Sequence, residues 1–348
     1  MPVNSSLISS THNPTLEAAL RDRLARRSAT AGSLGELEAL ALRLGLIQNT
    51  LTPRLRDPQL ALFAADHGLA VDGAGAPPVR STAGVIHQLL TGQLPVSVFA
   101  RLESMELMVI DAGVAEALPP HPRLMSRKIA HGTRSARVGP AMSIDQAHAA
   151  IRAGMEIAGT LPGNAIACAG IGVGAGHSAA LLLSGLSGAP VRELIAAAPG
   201  TRADELARTL ALLQVAQARH RDLSDPVEVL AAFGGYDTAM MVGVMLIAAS
   251  RRQLVIADGM AACAALLVAS RIAAPVADYS LFTRSHGEPG LDHALALFQA
   301  SALLELGMES LDGTGATLAW PLIRASAALL SDVVEEGELP SAQAGAAA

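Results

Sequence analysis

The stretch NAIACAGIGVGAGHSAALLLSGLSG, residues 164–188, decides the fold. It contains a short apolar run, then glycine at every second position from Gly170 to Gly176, then an apolar segment of helical length. This order predicts a buried strand that passes through a glycine-rich turn into a helix beginning near His177. Such a turn exposes unpaired N–H groups at the positive end of a helix dipole, which suits a phosphate. Close packing of the helix against the strand is the alternative explanation of the glycines.

Four other apolar runs have the same character, at residues 60–68, 106–113, 253–260 and 276–282, and helical patterns lie between them. Alternating strands and helices predict an α/β protein whose sheet is mostly parallel and carries helices on both faces. Most of the runs end in a small or acidic residue followed by glycine. Because open α/β sheets bind ligands outside the carboxyl ends of their strands, these endings indicate the site.

Three helix starts have a capping signature. Ser33 with Glu36 and Ser143 with Gln146 have the spacing of a capping box, and Asp225 stands before a proline at the first helical position. We therefore expect helices to begin at these three places.

Composition excludes several classes of function. Of the 348 residues, 51% are hydrophobic and 16% charged, which indicates a well-buried globular protein, and the net charge of −6 without a basic stripe argues against nucleic-acid binding. The longest apolar segments, 239–250 and 260–270, are shorter than the roughly 18–20 residues of a membrane span, so no membrane association is expected. The first residues lack the pattern of a secretory signal, and we expect a cytoplasmic protein.

Cysteine and histidine give no sign of metal chemistry. Cys168 and Cys263 each lie in an apolar stretch, which favours buried reduced thiols over a disulfide or metal ligands. The ten histidines are scattered without a zinc-type cluster, and no metal is predicted.

A basic segment at residues 127–140 is the second candidate for substrate contact. It contains Lys128, the only lysine in the chain, together with His131. A compact ammonium where every other basic position is arginine suits a phosphate contact, and a solvated basic turn is the alternative.

Acidic residues beside glycine supply candidates for proton transfer. Asp312 precedes a Gly-Thr-Gly turn, where a carboxylate can accept a proton, although Asp-Gly turns also occur for purely local reasons. Tyr236 and Asp237 follow a Gly-Gly pair and either line the site or cap a helix. His286 and Glu288 fit a surface loop.

The order of motifs carries a family resemblance. From about Ser33 to about Ala325 the chain contains FAADHG, DAGVA, KIAHGTRSARVGPAM, GIGVGAGHSAALLLSGLSG, DPVEVLAAFGGYDTAMMVGVML, DGMAACAALL and DGTGATLAWPLIRA. Together with SLGELEALALRLGLIQNTLTPRL near the start, this series resembles the nicotinate-nucleotide–dimethylbenzimidazole phosphoribosyltransferase family of the cobalamin pathway. Unrelated families do not share eight motifs in one order.

The resemblance implies a fold and a reaction. The resemblance implies a homodimer. Each chain is expected to contain a Rossmann-like parallel sheet and a small helical domain built from both chain ends. We expect helical parts of the small domain at 1–55 and 311–338, the large α/β domain at 56–310, and a disordered tail at 339–348. The reaction moves phosphoribose from nicotinate mononucleotide to dimethylbenzimidazole, giving α-ribazole 5′-phosphate and nicotinate, and it uses no cofactor.

The resemblance also implies site residues. Asp312 stands where the family has its proton-accepting glutamate and is expected to be the general base. The expected phosphate cradle is made of Gly172, Gly174, Gly176, His177 and Ser178, with Lys128 and His131 as further substrate contacts. Pro77 and Gly84 fall in the segment that binds the aromatic base.

Several positions depart from the family pattern. Gly170 replaces a glutamate, Ala175, Gly176 and His177 replace asparagine and two threonines, and Thr209 replaces a lysine. At Pro77 and Gly84 the chain lacks a tyrosine-containing segment and a glutamine. Two alternatives to the family's reaction follow, namely transfer to another aromatic acceptor and a non-catalytic paralogue that only binds a nucleotide.

Overall fold

The sheet of this protein is parallel throughout. The computed structural model describes residues 8–75, 80–196, 201–284 and 289–334. Its strands are β1 (Gln59–Ala65), β2 (Glu106–Gly113), β3 (Leu124–Ser126), β4 (Ala165–Ile171), β5 (Leu254–Ala257) and β6 (Ser280–Phe282). They form one sheet in the order β3-β2-β1-β4-β5-β6. This is the doubly wound order of a Rossmann fold, and the chain reverses direction across the sheet between β1 and β4.

Helices connect the strands. They are α1 (Pro14–Ala31), α2 (Glu36–Gln48), α3 (Gly68–Val71), α4 (Thr82–Leu90), α5 (Pro95–Leu102), α6 (Ile144–Thr160), α7 (Ala175–Ser187), α8 (Ala203–Arg219), α9 (Pro226–Phe233), α10 (Tyr236–Ser250), α11 (Met260–Ile272), α12 (Pro289–Leu297) and α13 (Thr314–Ser331). Across the described ranges, none of these helices combines the length and apolar character that crossing a bilayer requires.

Both faces of the sheet are covered, as the apolar strand runs predict. Leu60 and Leu62 of β1 pack beside Gly313, at the start of α13. On the opposite face, the Cα of Gly170, which pairs in register with Phe63, faces Met241 of α10. All seven residues of β1 and of β4 are buried for this reason.

The two ends of the chain meet in a small apolar cluster. Leu20 and Leu24 of α1 contact Ala41 of α2 and Leu330 of α13. The rest of α2 joins the main core through Leu44 and its neighbours. The predicted small domain built from both ends has this cluster in its favour, and its boundaries stay a prediction.

Two of the three predicted helix starts are confirmed. Ser143 accepts the N–H of Gln146 and the Gln146 side chain accepts the N–H of Ser143, so the capping box is complete. Asp225 accepts two N–H groups at the start of α9. The box at Ser33 and Glu36 is wrong, because Gly35 adopts φ 56° and becomes the cap, so that α2 begins only at Glu36.

Strand prediction failed at the edges of the sheet. The run at residues 276–282 is a 3-10 helix up to Tyr279 and a strand only at its last three residues. The edge strand β3 was not predicted, because its three residues are partly exposed and carry no apolar run. The helix expected near His177 begins at Ala175, capped by Gly174.

Candidate functional site

The glycine loop between β4 and α7 passes over the end of β1, at the point where the strand order reverses. A Cβ atom on Gly172 would overlap the carbonyl oxygen of Ala65 and lie 2.9 Å from its carbonyl carbon. Gly174 has φ 86° and caps α7, a conformation that side chains disfavour. A Cβ on Gly170 would lie 2.7 Å from the Cβ of Ala261. Three of the four alternating glycines are therefore required by close approach or by backbone conformation.

The first turn of α7 offers backbone donors at the carboxyl edge of the sheet. Within the described part of the chain, the N–H groups of Gly176 and His177 donate to no protein acceptor. Gly176 is exposed to solvent and His177 is partly exposed. Two free amides at the positive end of a 13-residue helix form an arrangement that binds anions.

Ser178 does not belong to this donor set. Its N–H donates to the carbonyl of Gly174 over 3.0 Å, and its Oγ donates to the carbonyl of Phe233 over 2.6 Å. The side chain is 1% exposed. The N–H of Ser178 therefore closes the first turn of α7, and its Oγ packs α7 against α9, while its contact with phosphate stays a prediction.

His177 lies between the glycine loop and the segment expected to hold the base. A Cβ on Gly75 would lie 2.7 Å from Cε1 of His177, and the N–H of Gly75 donates to Oγ1 of Thr209 over 3.0 Å. Thr209, where the family resemblance implies a lysine, thus fixes the backbone of Gly75. Burial, and secondly the charge of His67, lower the pKa of His177, so its imidazole is neutral at pH 7.

The two predicted base-binding positions have different outcomes. Pro77 lies outside the described residues. Gly84 lies in the first turn of α4, with no atom closer than 3.7 Å to the position of a Cβ. The neighbouring Thr82 accepts the N–H of Val173 over 3.1 Å and donates to Asp66, which holds α4 against the glycine loop. A Cβ on Gly84 would make ordinary contacts with Oγ of Ser81 and Cβ of Arg80, at 3.7 and 3.8 Å, so the predicted role of Gly84 in binding the base stays a prediction.

A buried pair, His67 and Asp237, lies beneath the loop. Nε2 of His67 is 3.4 Å from Oδ2 of Asp237, and the two side chains are 2% and 0% exposed. Neither of these atoms has a well-aligned hydrogen bond among the described residues. His67 also packs on Gly174. Its Cβ lies 3.1 Å from the place that a Cβ on Gly174 would occupy. Gly234 ends α9 and Gly235 caps α10, so of the two alternatives for this stretch the structure favours the helix caps.

Lys128 and His131 hold the turn that follows β2. The ammonium of Lys128 donates to the carbonyls of Val114 and Glu116 over 2.6 and 3.0 Å and lies 3.3 Å from Oδ2 of Asp111. Nδ1 of His131 is 3.1 Å from the carbonyl of Ala115. With these protein partners for its ammonium, Lys128 fixes a turn, and its contact with phosphate stays a prediction. Arg134, from the same basic segment, instead lines a cleft with His67 and Phe233.

Asp312 lies at the carboxyl end of β5. Its carboxylate packs on the backbone of Gly259 and forms an ion pair with Arg284. Its side chain is 26% exposed, whereas that of Arg284 is 6% exposed. Met260 follows Gly259, and its Cε lies 3.7 Å from the place that a Cβ on Gly176 would occupy. The structure thus brings the candidate base and the free amides of α7 to one edge of the sheet.

Sequence reasoning missed several residues of this edge. Asp258 and His67 fall only in the strand endings that indicate the site, Arg134 falls in the basic segment at residues 127–140, and Arg284 was given no role. Arg284 carried no signal, because its partners lie 26 and 28 positions away in the chain. Among the described residues no group of three His, Cys, Asp or Glu side chains is placed to bind a metal ion.

The fold and the edge define a class, an α/β protein of Rossmann-like topology with two free amides at a helix N-terminus and a carboxylate at the same edge of the sheet. A family model described as Phosphoribosyltransferase matches residues 10–338. The chain is 42% identical over 323 residues to the nicotinate-nucleotide–dimethylbenzimidazole phosphoribosyltransferase of Cupriavidus taiwanensis, covering 92% of each, and 39% identical to that of Variovorax paradoxus, covering 94% of this chain and 93% of the relative. This chain belongs to the nicotinate-nucleotide–dimethylbenzimidazole phosphoribosyltransferase family.

Solved structures agree with this assignment. The enzyme of the same name from Thermus thermophilus superposes with a TM-score of 0.87 at 31% sequence identity. The match covers 94% of this chain and 98% of the other. The Rossmann-like α/β fold expected from the resemblance is confirmed.

Proposed function

We propose that this protein transfers phosphoribose from nicotinate mononucleotide to 5,6-dimethylbenzimidazole, giving α-ribazole 5′-phosphate and nicotinate. The bond between the anomeric carbon and the pyridine nitrogen breaks, and a bond from the same carbon to a nitrogen of the acceptor forms. The proton lost by the acceptor passes to the Asp312 carboxylate. The departing nicotinate takes the electron pair of the broken bond.

One observation carries this proposal, the common position of Asp312 and the α7 amides at the carboxyl edge of the sheet. The N–H groups of Gly176 and His177 supply donors for a 5′-phosphate. The neutral imidazole of His177 borders both the phosphate position and the base segment that begins at Gly75. Such a displacement depends on positioning and on stabilising the positive charge that develops on the sugar, so few chemical groups are needed.

Purified protein incubated with nicotinate mononucleotide and dimethylbenzimidazole tests the proposal. The expected product is α-ribazole 5′-phosphate, identified by mass, with one nicotinate released per product. The Asp312→Asn variant is the matched control for a contaminating activity. Nucleotide binding measured by calorimetry without any product, even at high protein concentration, would overturn the enzymatic proposal in favour of a binding protein.

A second acceptor is favoured by the identity of Gly84. Glycine has no amide side chain where the family resemblance implies a glutamine, so an acceptor with other polar groups is the alternative. A panel of acceptors that includes adenine, unsubstituted benzimidazole and a phenol, scored by nicotinate release, ranks them against dimethylbenzimidazole. A faster rate with any of these would reassign the acceptor while keeping the donor.

The assembly and the location of the protein belong to the same proposal. We expect a homodimer that acts in the cytoplasm. Light scattering of the purified protein is expected to give about twice the mass of one chain, and the mass of a single chain would contradict the dimer.

A further inference from the structure

The guanidinium of Arg284 joins three segments at the carboxyl edge. Its Nε donates to Oδ1 of Asp258 over 2.9 Å, its Nη1 donates to the carbonyl of Ser310 over 3.0 Å, and its Nη2 pairs with Oδ1 of Asp312. Asp258 ends β5, Arg284 follows β6, and Ser310 and Asp312 lead into α13. One planar group therefore connects two strands to the segment that carries the candidate base.

Asp258 makes this connection rigid. Its side chain is 0% exposed, and its Oδ2 accepts the N–H of Ala316 over 2.9 Å, in the first turn of α13. A Cβ on Gly315 would lie 2.8 Å from Oδ1 of Asp258, so the helix approaches the carboxylate closely. The arginine is thus held at one end by a buried anion that is itself fixed to the backbone.

Asp312 is held from two sides as a result. Its Oδ1 pairs with Arg284, and its Oδ2 packs on the backbone of Gly259, where a Cβ would overlap the carboxylate. Aspartate is one methylene shorter than the glutamate that the family resemblance places here, so it has less reach to adjust its position. A general base must come within about 2.6–3.2 Å of the proton that it accepts. The orientation of this short carboxylate is therefore set by its surroundings.

The charges have a second consequence. Arg284 contacts two carboxylates of this edge, Asp258 and Asp312. Two neighbouring carboxylates without a cation disfavour each other's ionisation, and a protonated Asp312 cannot accept a proton. Lysine would supply the charge but not the planar fork that reaches three acceptors at once.

We propose that Arg284 is the positioning residue that orients the Asp312 carboxylate and holds it ready to accept a proton from the acceptor base. This inference rests on the proposed function. It predicts that loss of the guanidinium slows transfer and leaves nucleotide binding intact, because the free amides of α7 do not contact Arg284. A displacement of about 1 Å in a reacting group can lower the rate about 100-fold, which sets the scale of the expected loss.

The test compares Arg284→Ala with a matched control, Arg252→Ala. Like Arg284, Arg252 joins distant segments through its guanidinium, which donates to the carbonyls of Leu46 and Ile47. It stands before β5, at the opposite edge of the sheet. For Arg284→Ala we expect kcat to fall about 100-fold with little change in KM for nicotinate mononucleotide, whereas Arg252→Ala keeps its kcat. A fall no larger than that of the control, or a rise in KM alone, would overturn the proposal.

Chemical rescue separates positioning from a general loss of structure. Free guanidinium at millimolar concentration is expected to restore part of the kcat of Arg284→Ala and none in Arg284→Ala combined with Asp312→Asn. If Arg284→Ala does not fold, Arg284→Lys takes its place, and its kcat is expected to fall about 10-fold at an unchanged melting temperature because the fork is lost. Equal rescue in both backgrounds, or a fully active lysine variant, would overturn the proposal.

A crystal structure of the arginine variant keeps this inference separate from the reaction itself. In Arg284→Ala the Asp312 carboxylate is expected to leave its place on Gly259 or to occupy several orientations. An unmoved carboxylate would overturn the positioning role whether or not the wild-type protein transfers phosphoribose. Absence of transfer in the wild type, in contrast, would overturn the proposed function.

Discussion

Replacing Gly172 with alanine is expected to destabilise the centre of the sheet. The added methyl group would overlap the carbonyl oxygen of Ala65 and lie 2.9 Å from its carbon, closer than van der Waals contact allows. Since β1 and β4 are hydrogen-bonded neighbours, the overlap is relieved only by separating the strand ends or by tilting the glycine loop. Overpacking of this kind reduces the free energy of unfolding by about 3 kcal/mol.

Gly176→Ala is the matched control in the same loop. A Cβ there would lie 3.7 Å from Cε of Met260, an ordinary contact, and alanine favours the first turn of α7. We expect Gly176→Ala to raise the free energy of unfolding by about 0.5–1 kcal/mol. By calorimetry, Gly172→Ala is expected to melt about 6 °C below the wild type and Gly176→Ala about 1–2 °C above it. Equal melting temperatures of Gly172→Ala and the wild type would refute the close approach of the two strand ends.

Three further predictions concern buried groups. Asp237→Ala leaves His67 without its neighbouring carboxylate and is expected to lower the free energy of unfolding in urea by about 3 kcal/mol. Asp222→Ala, at an exposed ion pair, is the control and is expected to change it by less than about 0.5 kcal/mol. Equal losses in the two variants would contradict the pairing of His67 with Asp237. Burial raises the pKa of Cys168 to about 12, so a thiol reagent at pH 8 is expected to label it only after unfolding, and labelling of the folded protein would contradict its burial. Because the pKa of His177 is lowered, the unfolded chain binds a proton more readily, and the free energy of unfolding is expected to fall as the pH drops below about 6.5. His177→Gln is expected to weaken this pH dependence, and an unchanged pH dependence would contradict the burial of the imidazole.

The central strands were predictable because both their faces are buried. The runs that became β1, β2, β4 and β5 are continuously apolar and end at glycine or aspartate, and no helix pattern competes with them. Edge strands lack that signal, so β3 was missed and β6 was placed too early. The capping boxes show the same dependence on context. The spacing at Ser143 forms a box, whereas at Ser33 a glycine with positive φ moves the helix start.

The site was predictable only where its chemistry is local in sequence. The alternating glycines of the loop are visible in the sequence, and the positive φ of Gly174 is a local demand, whereas Gly172 is required by the distant Ala65. Asp312 was identified through the family resemblance, because an Asp-Gly turn by itself is commonplace. The side-chain partners of Ser178, Lys128 and Arg284 lie 12 to 55 positions away in the chain, and no spacing rule predicts them.

The most direct test of the central claim is the rate of nicotinate release by Asp312→Asn in a single turnover with saturating nicotinate mononucleotide and dimethylbenzimidazole. Asparagine keeps the size of the side chain and removes the proton acceptor, so transfer is expected to slow about 10²–10⁴-fold while calorimetry gives an unchanged affinity for nicotinate mononucleotide. Release at the wild-type rate would contradict the role of Asp312 as the base.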